Sequence, residues 1–281
     1  MRIMTVGHAC IDIVHWIPRG LSVNNKSDSI DSRLQIGGSA ANVGGALRRL
    51  GADAILCAVL GSTRDPLTTM LLASLANMGV ETDCIHVELP CPNSIVAVSA
   101  NGDNSLSSYQ PLQIINAIHV PSSLEGISMI MGDIYRLPMV ERVFAMARAA
   151  GIPTMLDVDK ALPSYEHLPP ADFVWFSQEA WRAIDEPMRS LSMASNHFGG
   201  SVGTTDGSNP VTWIDANGTV AQHRPPKVLA RSTLGAGDVF RAALAIGICQ
   251  GYDLFTAVAA ACASAGQHVA GESLASMYPE Q

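Results

Sequence analysis

The sequence predicts an α/β fold, a mainly parallel sheet sandwiched by helices with a small β lid. Three observations predict it. Strand-like and helix-like segments alternate for most of the 281 residues. The helix-like segments carry their own start and stop residues. Two regions without helical periodicity, one of them with a hairpin signature, interrupt the rhythm. Alternation of this kind builds a parallel sheet covered by helices.

"RIMTVGHA" reads as a buried first strand. The longer start "MRIMTVGHACIDIV" is not read as an export signal, because His8 and Asp12 break its apolar run and one positive charge precedes it. "SAANVGGALRRLG" places Ala40, Val43, Leu47 and Leu50 on one helical face, with Gly51 as its stop. "AILCAVLG" is a strand. In "DPLTTMLLASLANMG", Asp65 caps a helix, Pro66 takes its first position and Gly79 ends it. Leu67, Leu71, Leu75 and Met78 line one face. "SMIMG", "PMVERVFAMARAAG", "TMLDV" and "DFVWF" repeat the strand–helix–strand pattern. Residues 12–35, polar and without helical periodicity, and residues 91–112, with a turn at Asn101-Gly102, together form the expected lid. "VTWIDANGTVAQH" is a second hairpin turning at Asn217-Gly218. The expected organisation is a single domain over 1–281 with the lid inserted at about 12–35 and 91–112.

Composition narrows the function classes. Apolar residues make up 48% and charged residues 15%, a globular balance that buries a core without staples. The formal charge is −8 with no basic patch, which argues against nucleic acid and anionic membrane as partners. The six cysteines form no C-x-x-C pair or zinc spacing and read as small buried hydrophobes in a reducing cytoplasm. No run of 18 apolar residues occurs, as a membrane span would need. The histidines His8, His15, His119 and His223 have no metal spacing. A P-loop would need G-K-[S/T], and a dinucleotide fold G-x-G-x-x-G after the first strand; neither is present.

The chemistry concentrates in "STLGAGDVFRAALA". Gly235, Ala236 and Gly237 open a helix, where bare backbone lets orphan N–H groups converge and the macrodipole adds positive charge. That is an anion hole. Asp238 beside it is placed to take a proton from a hydroxyl attacking a phosphoryl group. From these four residues alone, Asp238 as a mere helix cap stays open. A second cluster, Gly37-Gly38 with Asn42 in the first turns of a helix, allows close approach of a polar ligand. Asp12 follows the first strand, where ligand crevices of parallel sheets open. These groups suit a polyhydroxylated ligand.

With "GGSAANVGGALRRLG" and "STLGAGDVF" in this order, some two hundred residues apart, the sequence resembles the ribokinase-like (PfkB-type) carbohydrate kinases. "LGSTRDPLTTMLLASLANMGV" and "VGTTDGSNPVTW" resemble further segments of that family, so the likeness covers nearly the whole chain. It implies a cytoplasmic, ATP-dependent kinase that phosphorylates a sugar hydroxyl. By motif position, Asp238 would be the catalytic base and Gly235, Ala236 and Gly237 the anion hole. Asp12, Gly37, Gly38 and Asn42 would hold the sugar, and Thr205, Gly207 and Ser177 would lie along the nucleotide. Mg2+ would be held mostly by phosphates and water; Asp157 and Asp159, at a strand end, could organise it through water. Arg136 could meet an anionic group of the substrate through its planar fork, or stand as a solvated loop residue.

The sequence also departs from the family. Ser232 replaces the aspartate that helps form a monovalent-cation site in some members, which leaves potassium activation unsupported. In "FSQEAW", Ser177 and Ala180 stand where the family has Asn and Glu. Two readings therefore stay open beside a general sugar kinase: a 6-deoxy-6-sulfofructose kinase, suggested by "LDVDKALP", and a non-catalytic sugar- or nucleotide-binding member. The expected assembly is a homodimer through the lid.

Overall fold

Two sheets share the chain, one of nine strands and one of four. The computed structural model describes residues 1–21, 24, 26–100, 104–186 and 188–274. In order, the elements are β1 (Arg2–Val6), β2 (Cys10–Trp16), β3 (Asp31–Gly37), α1 (Ser39–Arg49), β4 (Asp53–Leu60), α2 (Pro66–Asn77), β5 (Glu81–His86), β6 (Asn93–Val98) and β7 (Asn104–Tyr109). Then come α3 (Leu112–Asn116), β8 (Met129–Asp133), a 3-10 turn (Ile134–Arg136), α4 (Leu137–Ala149), β9 (Thr154–Val158) and β10 (Phe173–Ser177). The chain continues with α5 (Gln178–Arg182), α6 (Leu191–Phe198), β11 (Ser201–Thr205), β12 (Val211–Ile214), β13 (Val220–His223), α7 (Ala236–Cys249) and α8 (Leu254–Ala270).

The large sheet runs β13-β12-β11-β10-β9-β8-β1-β4-β5. From β5 to β11 every neighbouring pair is parallel; only β12 and β13 are antiparallel additions. The central parallel strands β1, β4 and β8 are apolar on both faces, as burial on both sides requires, whereas the edge strand β5 is polar. In β4, Leu56, Ala58 and Leu60 pack into one core, and Ile55, Cys57 and Val59 into the other. The first core holds residues of α1, α2, α7 and α8, and the second those of α4 and α6.

The helix signals read from the sequence recur in the structure. Asp65 Oδ1 accepts from Leu67 N–H at 2.8 Å, and Oδ2 accepts from Cys91 N–H, tying α2 to the loop before β6. Gly51 and Gly79 adopt the left-handed φ that a helix stop needs. Alanines 242, 243 and 245 of α7 and 257, 260 and 261 of α8 are all buried in the first core. Such small side chains let helix axes approach closely. The contact fixes the start of α7, which carries the site.

The small sheet is ordered β3-β2-β6-β7, with β2 and β6 parallel and the other pairs antiparallel. The Asn101-Gly102 turn lies outside the described residues. Cross-strand register puts Gln35, Asp12, Ser94 and Ser108 in one row. The adjacent row, Leu34, Ile13 and Ile95, points to the opposite face, and Leu34 and Ile95 are 49% and 51% exposed. This sheet therefore has polar groups on Asp12's side and apolar ones turned away. Among the described residues no helix is long and apolar enough to cross a membrane.

Trp175 on β10 lies against Gly203 on β11, and a Cβ at Gly203 would stand inside the indole ring. Gly203→Ala is expected to destabilise the fold by about 1–3 kcal/mol through overpacking, read as a lower urea midpoint with an unchanged slope.

Candidate active site

The carboxyl ends of β8, β9, β10 and β11 bring Asp133, Asp157 with nearby Asp159, Ser177 and Thr205 to one edge of the large sheet. Ligands of parallel sheets bind beyond this edge. The starts of two glycine-led helices meet it. Neither α1, capped by Gly38, nor α7, capped by Gly235, has a side-chain N-cap. In contrast, α2, α5, α6 and α8 each receive one from Asp or Ser.

Each glycine has a geometric reason. A Cβ on Gly37 would stand inside the Asp12 carboxyl group, so the bare backbone is what lets that acid lie there. Gly38 has φ 87°, and a Cβ on it would come 2.5 Å from the His8 carbonyl oxygen. Gly235 has φ 77°. Ala236 N–H donates to the Thr233 carbonyl at 3.2 Å. Among the described residues no backbone carbonyl takes the Gly235 or Gly237 amide. Of the three amides expected to form an anion hole, that of Ala236 is engaged in the turn.

Asp238 stands one turn into α7, its side chain 12% exposed. Oδ1 accepts from Arg241 Nη2 at 2.8 Å and from Ser39 Oγ at 3.5 Å. The Asn42 side chain also hydrogen-bonds this carboxyl. Oδ2 lies on the Gly235 side, 3.9 Å from where a Gly235 Cβ would be. Asp238 thus keeps its second oxygen on the Gly235 side of the helix start, where Gly235 itself is the N-cap. Burial raises its affinity for a proton, against Arg241 and the hydrogen bonds, and the result is a carboxyl held above its ordinary range.

Asp157 is bound to the same groups. Its Oδ2 accepts from Ser39 Oγ at 2.8 Å, and Arg241 Nη1 lies 2.8 Å from Oδ1. That contact is an ion pair by distance whose geometry fails as a hydrogen bond, and Oδ1 has no donor. Burial pushes Asp157 well up, opposed by Arg241. Asp159 is likewise raised by burial; Tyr135 bonds it, and its Oδ1 is buried without a hydrogen-bond partner. Among the described residues no group of three or more His, Cys, Asp or Glu suits a metal ion. Asp159, with its unpartnered oxygen, fits a water-mediated contact to a cation; Asp157 already engages Ser39 and Arg241.

Asp12 is buried, and burial raises its proton affinity, against bonds from Cys10 and Ser94. Gly37, Gly38 and Ser39 are consecutive, so Asp12 and Asp238 flank one short stretch of chain. Ser177 caps α5 by accepting from Ala180 N–H, and its hydroxyl donates to the Asp159 carbonyl. Thr205 ends β11, and Gly207 follows with φ 54° and open space where its Cβ would be.

Arg136 is fully buried, which removes the solvated-loop reading. It donates to Gln110 Oε1 and the Tyr135 carbonyl, both at 2.8 Å, and to His8 Nδ1 at 2.9 Å. It thereby links the edge of the large sheet to the residue after β7.

Arg241, Ser39, Ser94 and Tyr135 were not singled out from the sequence, and His8 figured there only as a break in the first apolar run and as a histidine without metal spacing. A usable signal existed for Arg241: it is the one charge in the apolar run after Asp238, spaced i, i+3 for a helical pair.

Comparison with known proteins identifies the family and the fold. A family model, pfkB family carbohydrate kinase, matches residues 1–281. A candidate ribokinase from Agrobacterium tumefaciens superposes with a TM-score of 0.86 at 21% identity, covering 95% of this chain and 90% of that one. A ribokinase from Arabidopsis thaliana, complexed with ribose and ATP, gives 0.73 at 19%, covering 95% and 92%. The tetrameric inhibited form of phosphofructokinase-2 from Escherichia coli gives 0.76 at 18%, covering 97% and 95%.

His8 supplies a pH test of this edge. Burial, and then Arg136, push its pKa from 6.5 down to about 3. The unfolded chain therefore takes up this proton first, and the stability present above pH 6.5 is lost as pH falls toward 3. Asp133, pushed up to about 6 by burial, acts in the opposite direction and is present in both proteins compared. Urea unfolding of His8→Asn across this range should lose stability less steeply than the parent, by at most about 1.4 kcal/mol per pH unit.

Proposed function

The chain belongs to the pfkB family of carbohydrate kinases, and from that premise we propose that it transfers the γ-phosphoryl group of ATP to a sugar hydroxyl, with Asp238 as the base. The single observation that carries the proposal is the placement of Asp238. Its Oδ1 is pinned, its Oδ2 lies toward Gly235, and the uncapped start of α7 stands beside it.

In this mechanism the sugar sits between the row Gln35, Asp12, Ser94, Ser108 and the start of α1. Asp12 and Asn42 accept and donate to its hydroxyls, and Gly37 and Gly38 permit close approach. The amides of Gly235 and Gly237 face the charge that develops on the transferring phosphoryl group, where one aligned donor can lower a barrier by about 3–4 kcal/mol. Asp238 takes the proton of the attacking hydroxyl. Its proton affinity, raised by burial and opposed by Arg241, suits a group that takes up a proton during the reaction. ATP lies along Ser177, Thr205 and Gly207, a placement supported by the motif and by their common strand-end position. Mg2+, carried mainly by the phosphates, would supply charge neutralisation, with Asp159 ordering its water.

Arg136, buried without a carboxylate hydrogen bond, lies near enough to Gln110 to sense what enters beneath the small sheet. The exposed apolar row Leu34, Ile13, Ile95 favours pairing of two such sheets in a homodimer.

The function is tested by ADP release from ATP across ketoses, aldoses, nucleosides and anionic sugars. At least one acceptor should respond, and silence across the panel contradicts the kinase reading. With that acceptor, Asp238→Asn should lower turnover about 10²–10⁴-fold while nucleotide binding survives. Sedimentation should give a dimer that Ile95→Lys converts to monomer; a monomeric parent would end the dimer proposal.

A further inference from the structure

Helix α7 is apolar after its first turn, with Val239, Phe240, Ala242, Ala243, Leu244 and Ala245 all buried. Arg241 interrupts that run, and its side chain is only 8% exposed. A guanidinium in such a place costs several kcal/mol of solvation unless carboxylates surround it. Here they do. Nη2 reaches Asp238 and Nη1 reaches Asp157, each at 2.8 Å, while Nε has no hydrogen-bond partner. One planar fork thus ties the first turn of α7 to the end of β9. A Cβ on Gly237 would meet Nη1 at 3.2 Å, so the fork lies directly beside Gly237.

We propose that Arg241 is the positioning residue for Asp238: its fork holds Oδ1, leaves Oδ2 as the working oxygen beside Gly235, and sets a positive charge against the acid in a buried site. The inference rests on Asp238 being the base. The neighbours explain why a cation is required. Asp238 is faced by Asp157 and Asp159 from the end of β9, by Ser39 and Asn42 from α1, and by His268 of α8, whose Nε2 lies 3.4 Å from a Gly235 Cβ position. Tyr135 bonds Asp159, and Glu179 adds further negative charge. Three carboxylates thus crowd one another, and Arg241 is the cation in contact with two of them. Burial opposes its own charge, but Asp157, Asp238 and Asp159 outweigh that and hold the guanidinium charged. Lysine would keep the charge and lose the fork, because an ammonium is a point donor on a flexible stem.

The test follows Asp238 itself. Protein labelled with carbon-13 at the aspartate side-chain carboxyl is titrated by NMR, and Asp238→Asn identifies the resonance. In Arg241→Met the Asp238 midpoint should rise by about 1–3 pH units. In Arg241→Lys it should stay near the parent value, while turnover with the acceptor found in the ADP-release panel drops by up to about 10²-fold through lost orientation. If Arg241→Met does not fold, the same comparison is made between Asp157→Asn and Asp157→Asn/Arg241→Met, where one acid leaves with the cation. An unmoved Asp238 midpoint overturns the role given to Arg241, even if Asp238→Asn is inactive. Near-normal turnover of Asp238→Asn instead removes the base assignment, whatever the titration shows.

Discussion

One guanidinium buried among carboxylates sets the terms for everything around it. Arg241 has little access to water, so its charge must be met by Asp157 and Asp238. Stripping one partner from a buried pair of this kind commonly costs about 3–5 kcal/mol. The cost is borne by parts of the fold that are rigid for other reasons. The alanine faces of α7 and α8 pack tightly, α1 lies against α7, and β9 is interior to the sheet. The arrangement resists relaxation, and the Arg241 charge opposes the effect of burial on Asp238.

The outer parts of the site depend on the same seam. Ser39 opens α1, reaches both Asp157 and Asp238, and directly follows the two glycines that make room for Asp12 and the His8 carbonyl. The start of α1 therefore couples the small sheet to the start of α7. Departures from the family pattern lie outside this seam. Ser232 is exposed and, among the described residues, bonds within its own loop and to the end of α8, through Leu234 N–H and the Val269 carbonyl. Ser177 serves α5 as a cap and touches the backbone of Asp159.

Much of this was legible in the sequence because it depends on local rules. Asp65, Pro66 and Gly79 bound α2 through capping chemistry, and Gly235 and Gly237 announced a bare helix start. Val239, Phe240 and Leu244 continued that helix by periodicity. The small sheet was readable as two irregular regions, but its pairing was not, because β2 and β6 meet across some eighty residues and local pattern carries no register. Arg241 and Ser39 escaped notice for a related reason. Each looks ordinary in its own helix, and its meaning comes from Asp157, which lies far away in sequence. Arg136 read equally well as a substrate-facing or a solvated residue, and its burial against His8 and Gln110 removes the second reading.

The most direct measurement of the central claim is a crystal structure with ADP, aluminium fluoride and the sugar that gives the greatest ADP release. The account requires the planar fluoride against the amides of Gly235 and Gly237, and the acceptor oxygen about 2.6–3.2 Å from Asp238 Oδ2. Arg241 should still bridge Oδ1 to Asp157. An acceptor oxygen nearer to Asp157 or Asp159, or an Asp238 turned away from the fluoride, would contradict it.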